Sequence, residues 1–221
     1  MEQNDLRERR FQKINRAFVA LYCLTGCALA AVYALRGDGY HLGVCLGTLA
    51  IPAAMAAFYR LLRLEYAHQM NFLILTFTAL AYTLGSGLDF YRRFPGYDKL
   101  VHMLSGALVS LMCMALFCAL RPGGRPGRRE LPLLLAFTFF GSMAVAGLWK
   151  IGEYALSLIT GRDLQNVAAT GVGDSMRDMI VCMIGTLATL PAAAHLVDGR
   201  CRLFSGAVHA FGEKNLWEGA K

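Results

Sequence analysis

The chain has 221 residues, of which 56% are hydrophobic and only 17% are charged, and its formal net charge is +7. Soluble domains carry about a quarter charged residues, and a chain of this length cannot bury so many apolar helices on all sides, so a soluble fold is excluded. The basic residues lie in connectors and termini without interleaved aromatic residues. They therefore indicate orientation in a membrane and no nucleic-acid partner.

Six apolar runs alternate with short charged connectors, and each run is long enough to cross a bilayer as a helix. They predict an all-α polytopic membrane bundle of about six transmembrane helices in a single domain. The first run is read as a retained helix and not as a cleaved signal peptide, because it is long enough to span and further spans follow. The predicted spans are 17–35, 41–59, 70–88, 98–120, 131–159 and 174–196.

A polar N-terminal segment (1–16) and a polar C-terminal tail (197–221) flank these spans, and both are predicted to be cytoplasmic. The tail is expected to lie at the membrane surface or to be disordered. The second span contains Gly43-x-x-x-Gly47, a small-residue spacing that allows close helix approach and suggests a homo-oligomer contact. Pro52 lies in the middle of the same span, where neighbouring helices can satisfy the freed backbone groups.

Cysteine is the remaining distinctive residue type. None of the cysteines forms a Cys-x-x-Cys pair, and six lie inside apolar runs. We interpret them as small buried hydrophobic residues and not as a disulfide framework or a zinc site. They are Cys23, Cys27, Cys45, Cys113, Cys118, Cys182 and Cys201.

Lysine and arginine are distributed unevenly between the two sides of the predicted bundle. The N-terminal segment, the connector after the second span, the basic Pro/Gly loop 121–129 and the tail together hold 15 of the 22 basic residues. The opposite connectors hold four. The positive-inside rule then places both termini in the cytoplasm, N-in and C-in, which agrees with an even number of spans.

Ionisable residues within or beside the last four spans indicate a functional site, because a charge in the membrane is costly. Asp98 and His102 share one helix face, about 6 Å apart along the axis, and Asp174 and Asp178 are spaced in the same way. In the predicted orientation all of these residues lie toward the non-cytoplasmic surface. The residues expected to converge there are Asp89, Asp98, His102, Lys150, Glu153, Asp174, Arg177 and Asp178.

Such a group can support several kinds of chemistry. An imidazole and carboxylates can act as general acid and base or hold a divalent metal ion that activates water, and the cations can engage a phosphate. No spacing matches a strong metal motif. The catalytic candidates are His102, Glu153 and Asp178. The ligand-binding candidates are Asp98, Lys150, Asp174 and Arg177. The candidates for a divalent metal are Asp98, His102, Asp174 and Asp178.

Each of these residues also has a purely structural explanation. Asp98 and Asp174 stand at helix starts, where a carboxylate caps free N–H groups, and Asp89 can be solvated outside the membrane. His102 can be a neutral interior histidine. Capping does not explain His102, Glu153 and Asp178, which lie at least one turn inside their helices. The candidate structural ion pairs are Lys150–Glu153 and Arg177–Asp178.

The same residues resemble the YjdF-like family of uncharacterised bacterial inner-membrane proteins over about Tyr82–Leu190. The blocks that carry the resemblance are Tyr97-Asp98-Lys99-Leu100-Val101-His102, Ser105-Gly106, Trp149-x-x-x-Glu153-Tyr154 and Gly173-Asp174-Ser175-Met176-Arg177-Asp178-Met179 with Gly185. It implies a location in the bacterial cytoplasmic (inner) membrane but names no substrate. The polar positions that it implies are Asp98, His102, Glu153, Asp174 and Asp178. Family members often carry a second acidic residue where this chain has Lys150, which weakens a metal site.

A looser similarity to VanZ-like proteins lies in Asp98-Lys99-x-x-His102, Glu153 and Gly161–Gln165. It implies a role in the cell envelope, since VanZ-like proteins are linked to glycopeptide tolerance. The leading hypothesis is an outward-facing Asp/His/Glu pocket that binds or acts on an envelope lipid or a lipid-linked phosphate. The alternatives are a small-molecule or ion transporter or binding protein, and a structural protein whose charges only tie helices together. Few polar residues continue toward the cytoplasmic half, which counts against transport.

Overall fold

The computed structural model describes residues 2–121, 123–200 and 203–217, and these residues contain helices and no β-strand. Among them, six helices are long and apolar enough to cross a membrane. This confirms the all-α class and the predicted number of six membrane-length helices, while the N-in, C-in orientation stays a prediction. The membrane-length helices are Leu6–Leu35, Gly39–Leu61, His68–Gly87, Tyr97–Leu120, Arg128–Thr160 and Gly173–Val197.

The helices follow one another through short connectors. The first three are α1 (Glu2–Leu35), α2 (Gly39–Leu61) and α3 (His68–Thr78), and α3 continues as a π-helical segment, Ala79–Gly87. Next come α4 (Phe90–Arg93), α5 (Tyr97–Leu120) and, after a 3₁₀ turn, α6 (Leu131–Thr160). The last four are α7 (Val167–Thr170), α8 (Gly173–Thr189), α9 (Pro191–Val197) and α10 (Leu203–Asn215).

The chain divides into two compact units, Met1–Tyr97 with Gly206–Lys221, and Asp98–Ser205. In the first unit, the start of α2 is set by Asp38, whose Oδ1 accepts a hydrogen bond from the backbone N–H of His41 at 3.1 Å. That hydrogen bond lowers the pKa of Asp38, so its carboxylate stays charged as a helix cap. The π-helical segment ends where the Tyr33 hydroxyl donates to the Gly87 carbonyl at 2.5 Å.

The described part of the C-terminal tail forms α10, so it is helical and not disordered, while its position at the membrane surface stays a prediction. Its Lys214 Nζ lies 2.9 Å from Glu8 Oε2. The same Glu8 carboxylate accepts the backbone N–H groups of His68 at 2.8 Å and Gln69 at 3.0 Å, and so caps α3 from a distance. Cys201 and Arg202, at the beginning of the tail, lie outside the described residues. The buried residues of α10 include Ala207, Val208 and Ala210.

In the second unit, α5 and α8 touch backbone to backbone at two glycines. A Cβ at Gly106 would collide with the Cys182 carbonyl, and a Cβ at Gly185 would collide with the Met103 carbonyl. Close approach of this kind needs residues without side chains. Three buried hydroxyls also converge on the Gly106 carbonyl at 2.7, 3.3 and 3.4 Å, donated by Ser110, Ser142 and Thr186.

Gly43 and Gly47, in contrast, face open space within the chain. Apart from the glycine, its two neighbours and the adjacent backbone of its own helix, no heavy atom of the described residues lies within 4 Å of a Cβ built at either position. The contact between copies that their spacing suggested therefore stays a prediction.

The six described cysteines are all free. The prediction that they are buried is correct for four of them, wrong for Cys27, which is exposed on α1, and only partly correct for Cys23, which is half-buried. The buried four are Cys45, Cys113, Cys118 and Cys182.

Candidate functional site

Three helices of the second unit bring most of the predicted polar residues together. One set of polar side chains comes from the first two turns of α5, and a second set comes from the first two turns of α8. The third set comes from α6, two to three turns before the end of that helix. Both α5 and α8 therefore direct the positive ends of their helix dipoles toward carboxylates. We call these residues the charged network: Asp98, Lys99, His102, Lys150, Glu153, Asp174 and Asp178.

Lys99 lies at the centre of the charged network. Its Nζ is 2.9 Å from Asp98 Oδ2 and 2.7 Å from Asp174 Oδ1, and it also pairs directly with Asp178 Oδ1. A lysine ammonium has three N–H donors, so all of them are matched by carboxylate oxygens. Sequence reasoning missed Lys99 as a site residue, although it stands beside Asp98 in the block Asp98-Lys99-x-x-His102.

Lys150 makes the second link in the network. Its Nζ is 2.7 Å from Asp178 Oδ2 and 2.6 Å from Glu153 Oε2. The other oxygen of Glu153 accepts the indole N–H of Trp149 at 2.7 Å. The predicted Lys150–Glu153 ion pair is therefore present, and Lys150 also connects α6 to α8.

Asp178 is the most buried member of the charged network, with only 3% of its side chain exposed. Its two oxygens are divided between the two ammonium groups, Oδ1 with Lys99 and Oδ2 with Lys150. A buried carboxylate is tolerated only when it is paired in this way, so Asp178 and the two lysines depend on one another. The predicted Arg177–Asp178 pair does not occur, because Arg177 contacts Asp174 instead.

His102 lies between two carboxylates. Its Nε2 is 3.5 Å from Asp98 Oδ1 and 3.5 Å from Asp178 Oδ2. One ring N–H can serve only one of these oxygens at a time, and a small rotation would bring it to hydrogen-bonding distance. On the opposite side, His102 Nδ1 lies 4.0 Å from the thiol of Cys182, which donates to the His102 carbonyl at 3.1 Å.

The exposure of the network increases from Asp178 toward one edge. There the side chains of Lys99 and Asp98 are 26% and 36% exposed, and that of Arg177 is 62% exposed. The carboxylate of Asp174 at this edge accepts from Lys99 and from the Asn166 amide, at 3.0 Å in the latter case. No side-chain hydrogen bond caps the start of α8, so Asp174 interacts with that start through the helix dipole and accepts its hydrogen bonds from Lys99 and Asn166.

The ligand atoms of Asp98, His102 and Asp178 lie within 4.8 Å of one another, which is compact enough for a metal ion. Both lysine ammonium groups are also paired with the Asp178 carboxylate, so an ion held there would be their immediate neighbour. Two like unit charges about 4 Å apart repel by about 4 kcal/mol at an effective dielectric constant of about 20, and a divalent ion doubles this. A metal ion at Asp178 would therefore need one of the two lysines to move away.

Asp89 is the one expected member that belongs to the other unit. It lies in the left-handed region with φ of 63° and its carboxylate pairs with Arg92 at 2.6 Å. The other expected residues all lie in the second unit, either in the charged network or, as Arg177 does, beside Asp174.

Six membrane-length helices and a buried charged network define a multi-pass membrane protein with a polar site among its helices. The chain belongs to the family described as "Predicted membrane protein (DUF2238)", whose model matches residues 15–199. The YjdF-like resemblance is consistent with this family, whereas the VanZ-like similarity is not supported. No curated protein and no solved structure matches the chain.

Proposed function

We propose that this protein binds the phosphate-bearing headgroup of an envelope lipid, or a lipid-linked phosphate, at the exposed edge of the charged network. The main support for this proposal is that two basic side chains lie beside the same carboxylate oxygen of Asp174. Lys99 Nζ and Arg177 Nη2 lie 2.7 and 3.9 Å from Asp174 Oδ1. A phosphate oxygen can take the place of that carboxylate oxygen, since ammonium and guanidinium groups bind both.

Arg177 is the cation best placed to make a first contact with a ligand. It is the most exposed of the three basic residues, its Nε donates to the Gly173 carbonyl at 3.1 Å, and its closest carboxylate oxygen is 3.9 Å away. A planar guanidinium held by one backbone bond still presents further N–H donors to a phosphate.

Apolar side chains beside the network provide a surface for the acyl or polyprenyl part of such a ligand. Trp149 on α6 and Met176 on α8 are both exposed, and each is adjacent in sequence to a basic residue of the site. Tryptophan is enriched where a membrane meets water, which is the depth at which lipid phosphates lie. This supports a lipid over a soluble phosphate, and the predicted bacterial inner membrane would supply it.

A second function, hydrolysis or transfer at the bound phosphate, is favoured by the position of His102. Its Nε2 lies 3.5 Å from both half-exposed Asp98 and buried Asp178, so Asp178 can orient the Nε2–H of a protonated imidazole, which can then donate that proton as a general acid. Glu153 supports this arrangement indirectly, because it holds Lys150 against Asp178.

Binding is tested with purified protein in lipid nanodiscs, by native mass spectrometry with polyprenyl phosphate and phosphatidate. Arg177→Gln should weaken binding about tenfold, as expected for loss of a charge-assisted contact. Arg93→Gln, an exposed arginine of the first unit on the same predicted side, is the matched control. Equal affinities in the two variants would overturn the proposal and leave a structural role for the network.

The enzymatic part is tested separately by phosphate release from the same lipids. His102→Gln should keep the binding affinity and lose turnover by at least about a hundredfold, which is the usual contribution of a general acid or base. Turnover that persists in His102→Gln would exclude His102 as the acid or base.

A further inference from the structure

The charged network contains more negative than positive groups, and this restricts its ligand. Four carboxylates face two ammonium groups, and Arg177 at the edge still leaves one carboxylate without a matching cation. Even with a proton on His102 the whole set would only be neutral. A phosphate alone would therefore add negative charge at the edge of an already acidic site, where like charges repel.

A ligand that brings its own cation avoids this repulsion. The structure also shows which cation fits, since the ammonium group of Lys99 occupies a position surrounded by three carboxylate oxygens. A primary ammonium carries three N–H donors and matches such a position, whereas a trimethylammonium group has no N–H to donate.

Such a ligand requires Lys99 to leave that position. Its side chain is 26% exposed and ends in a flexible four-carbon stem, and it already lies next to Arg177 through their shared contact with Asp174. If Lys99 turns toward a phosphate that is bound by Arg177, the three oxygens that it leaves can receive another ammonium group.

We infer that the ligand is a phosphate headgroup that carries a primary ammonium group, of the phosphoethanolamine type. Its phosphate engages Lys99 and Arg177, and its ammonium takes the place of the Lys99 ammonium on Asp98, Asp174 and Asp178. This inference rests on the proposed binding of a phosphate headgroup and specifies its chemical class. It predicts discrimination at the amine, which simple phosphate binding does not.

The experiment compares lipids that have the same acyl chains and differ only in the headgroup. The wild-type protein should bind phosphatidylethanolamine at least about tenfold more tightly than its N-acetylated derivative, phosphatidylcholine or phosphatidate, because these lack the charge-assisted N–H contacts. Since all ligands meet the same wild-type protein, a folding defect cannot produce the difference.

Variants of single residues then test whether the carboxylates of the network cause the preference for a primary ammonium group. Asp174→Asn should reduce the affinity for phosphatidylethanolamine while the affinity for phosphatidate is kept or increased. Asp198→Asn, which removes a carboxylate paired with Arg128 at 2.8 Å and away from the network, should change neither affinity.

Each outcome decides one part of the inference. Equal binding of all four lipids, still dependent on Arg177, would overturn the amine specificity and leave the proposed function intact. Binding that does not depend on Arg177 would overturn the proposed function itself. Soluble O-phosphoethanolamine that binds as tightly as the lipid would overturn the assignment to a lipid.

Discussion

Lys99 of α5 and Asp178 of α8 form a direct ion pair, although 79 positions separate them in the chain. The pair joins a half-exposed cation to the most buried carboxylate of the second unit. Through Asp178 it also reaches Lys150 on α6, so that three helices share one set of charges. Removing a single member should therefore affect the whole network.

Asp178→Asn should be the most destabilising single change in the charged network. It leaves the ammonium groups of Lys99 and Lys150 each without one counter-charge, and breaking a buried ion pair by removing one partner costs about 3–5 kcal/mol. Thermal unfolding in detergent should show a much larger loss than in Asp198→Asn, whose carboxylate forms a more exposed pair with Arg128. Similar melting temperatures in the two variants would contradict the central position of Asp178.

Exchanging the charges of Lys150 and Glu153 should fail to restore stability. The double variant Lys150→Glu with Glu153→Lys keeps the local pair on α6. It also places a carboxylate next to Asp178, because the Lys150 ammonium that it replaces lies 2.7 Å from Asp178 Oδ2. Like charges in a poorly solvated site repel strongly. The measurement compares the yield of folded protein and its melting temperature with those of both single variants, and wild-type stability in the double variant would refute the three-helix arrangement.

Gly106→Ala and Gly185→Ala should each impair folding, because the added methyl group meets a backbone carbonyl of the facing helix. Overpacking costs about 1–3 kcal/mol, and more where backbone must move. Gly43→Ala and Gly47→Ala are matched controls in α2 with open space around the added Cβ. If all four variants unfolded at the same temperature, the close contact between α5 and α8 would not exist.

The predicted contact between two copies of the chain is tested by placing a larger side chain at Gly43. Gly43→Leu should shift the protein toward the monomer in size-exclusion chromatography with light scattering, without lowering the amount of folded protein. A variant with an unchanged mass would show that Gly43-x-x-x-Gly47 forms no contact between copies.

Lys214→Met should destabilise the first unit by about 1–3 kcal/mol, since it leaves the buried carboxylate of Glu8 without its cation. Glu8 would still cap α3 through the N–H groups of His68 and Gln69, so unfolding should stay cooperative. Lys13→Met, at an exposed position of α1, controls for the loss of a positive charge. No difference between the two variants would show that α10 is not held by Glu8.

The presence and number of the spans could be predicted because apolar runs of about 20 residues have one stable form in a bilayer, a helix that satisfies its own backbone. The same reasoning marked His102, Glu153 and Asp178, since charge within such a run is costly wherever it falls. Helix α10 was missed because it is short and is stabilised by contacts with residues distant in the chain, such as that of Lys214 with Glu8.

The sequence by itself determined the class of the protein, its six membrane-length helices and most of the polar residues that meet in the charged network. Only the tertiary structure decided how the charges are paired. Lys99 became the centre of the network, Arg177 paired with Asp174 and not with Asp178, and Asp89 joined the other unit. The physical reason is that helix periodicity sets which face a residue occupies, whereas its partner depends on how helices distant in the chain approach, and here two glycines set that approach.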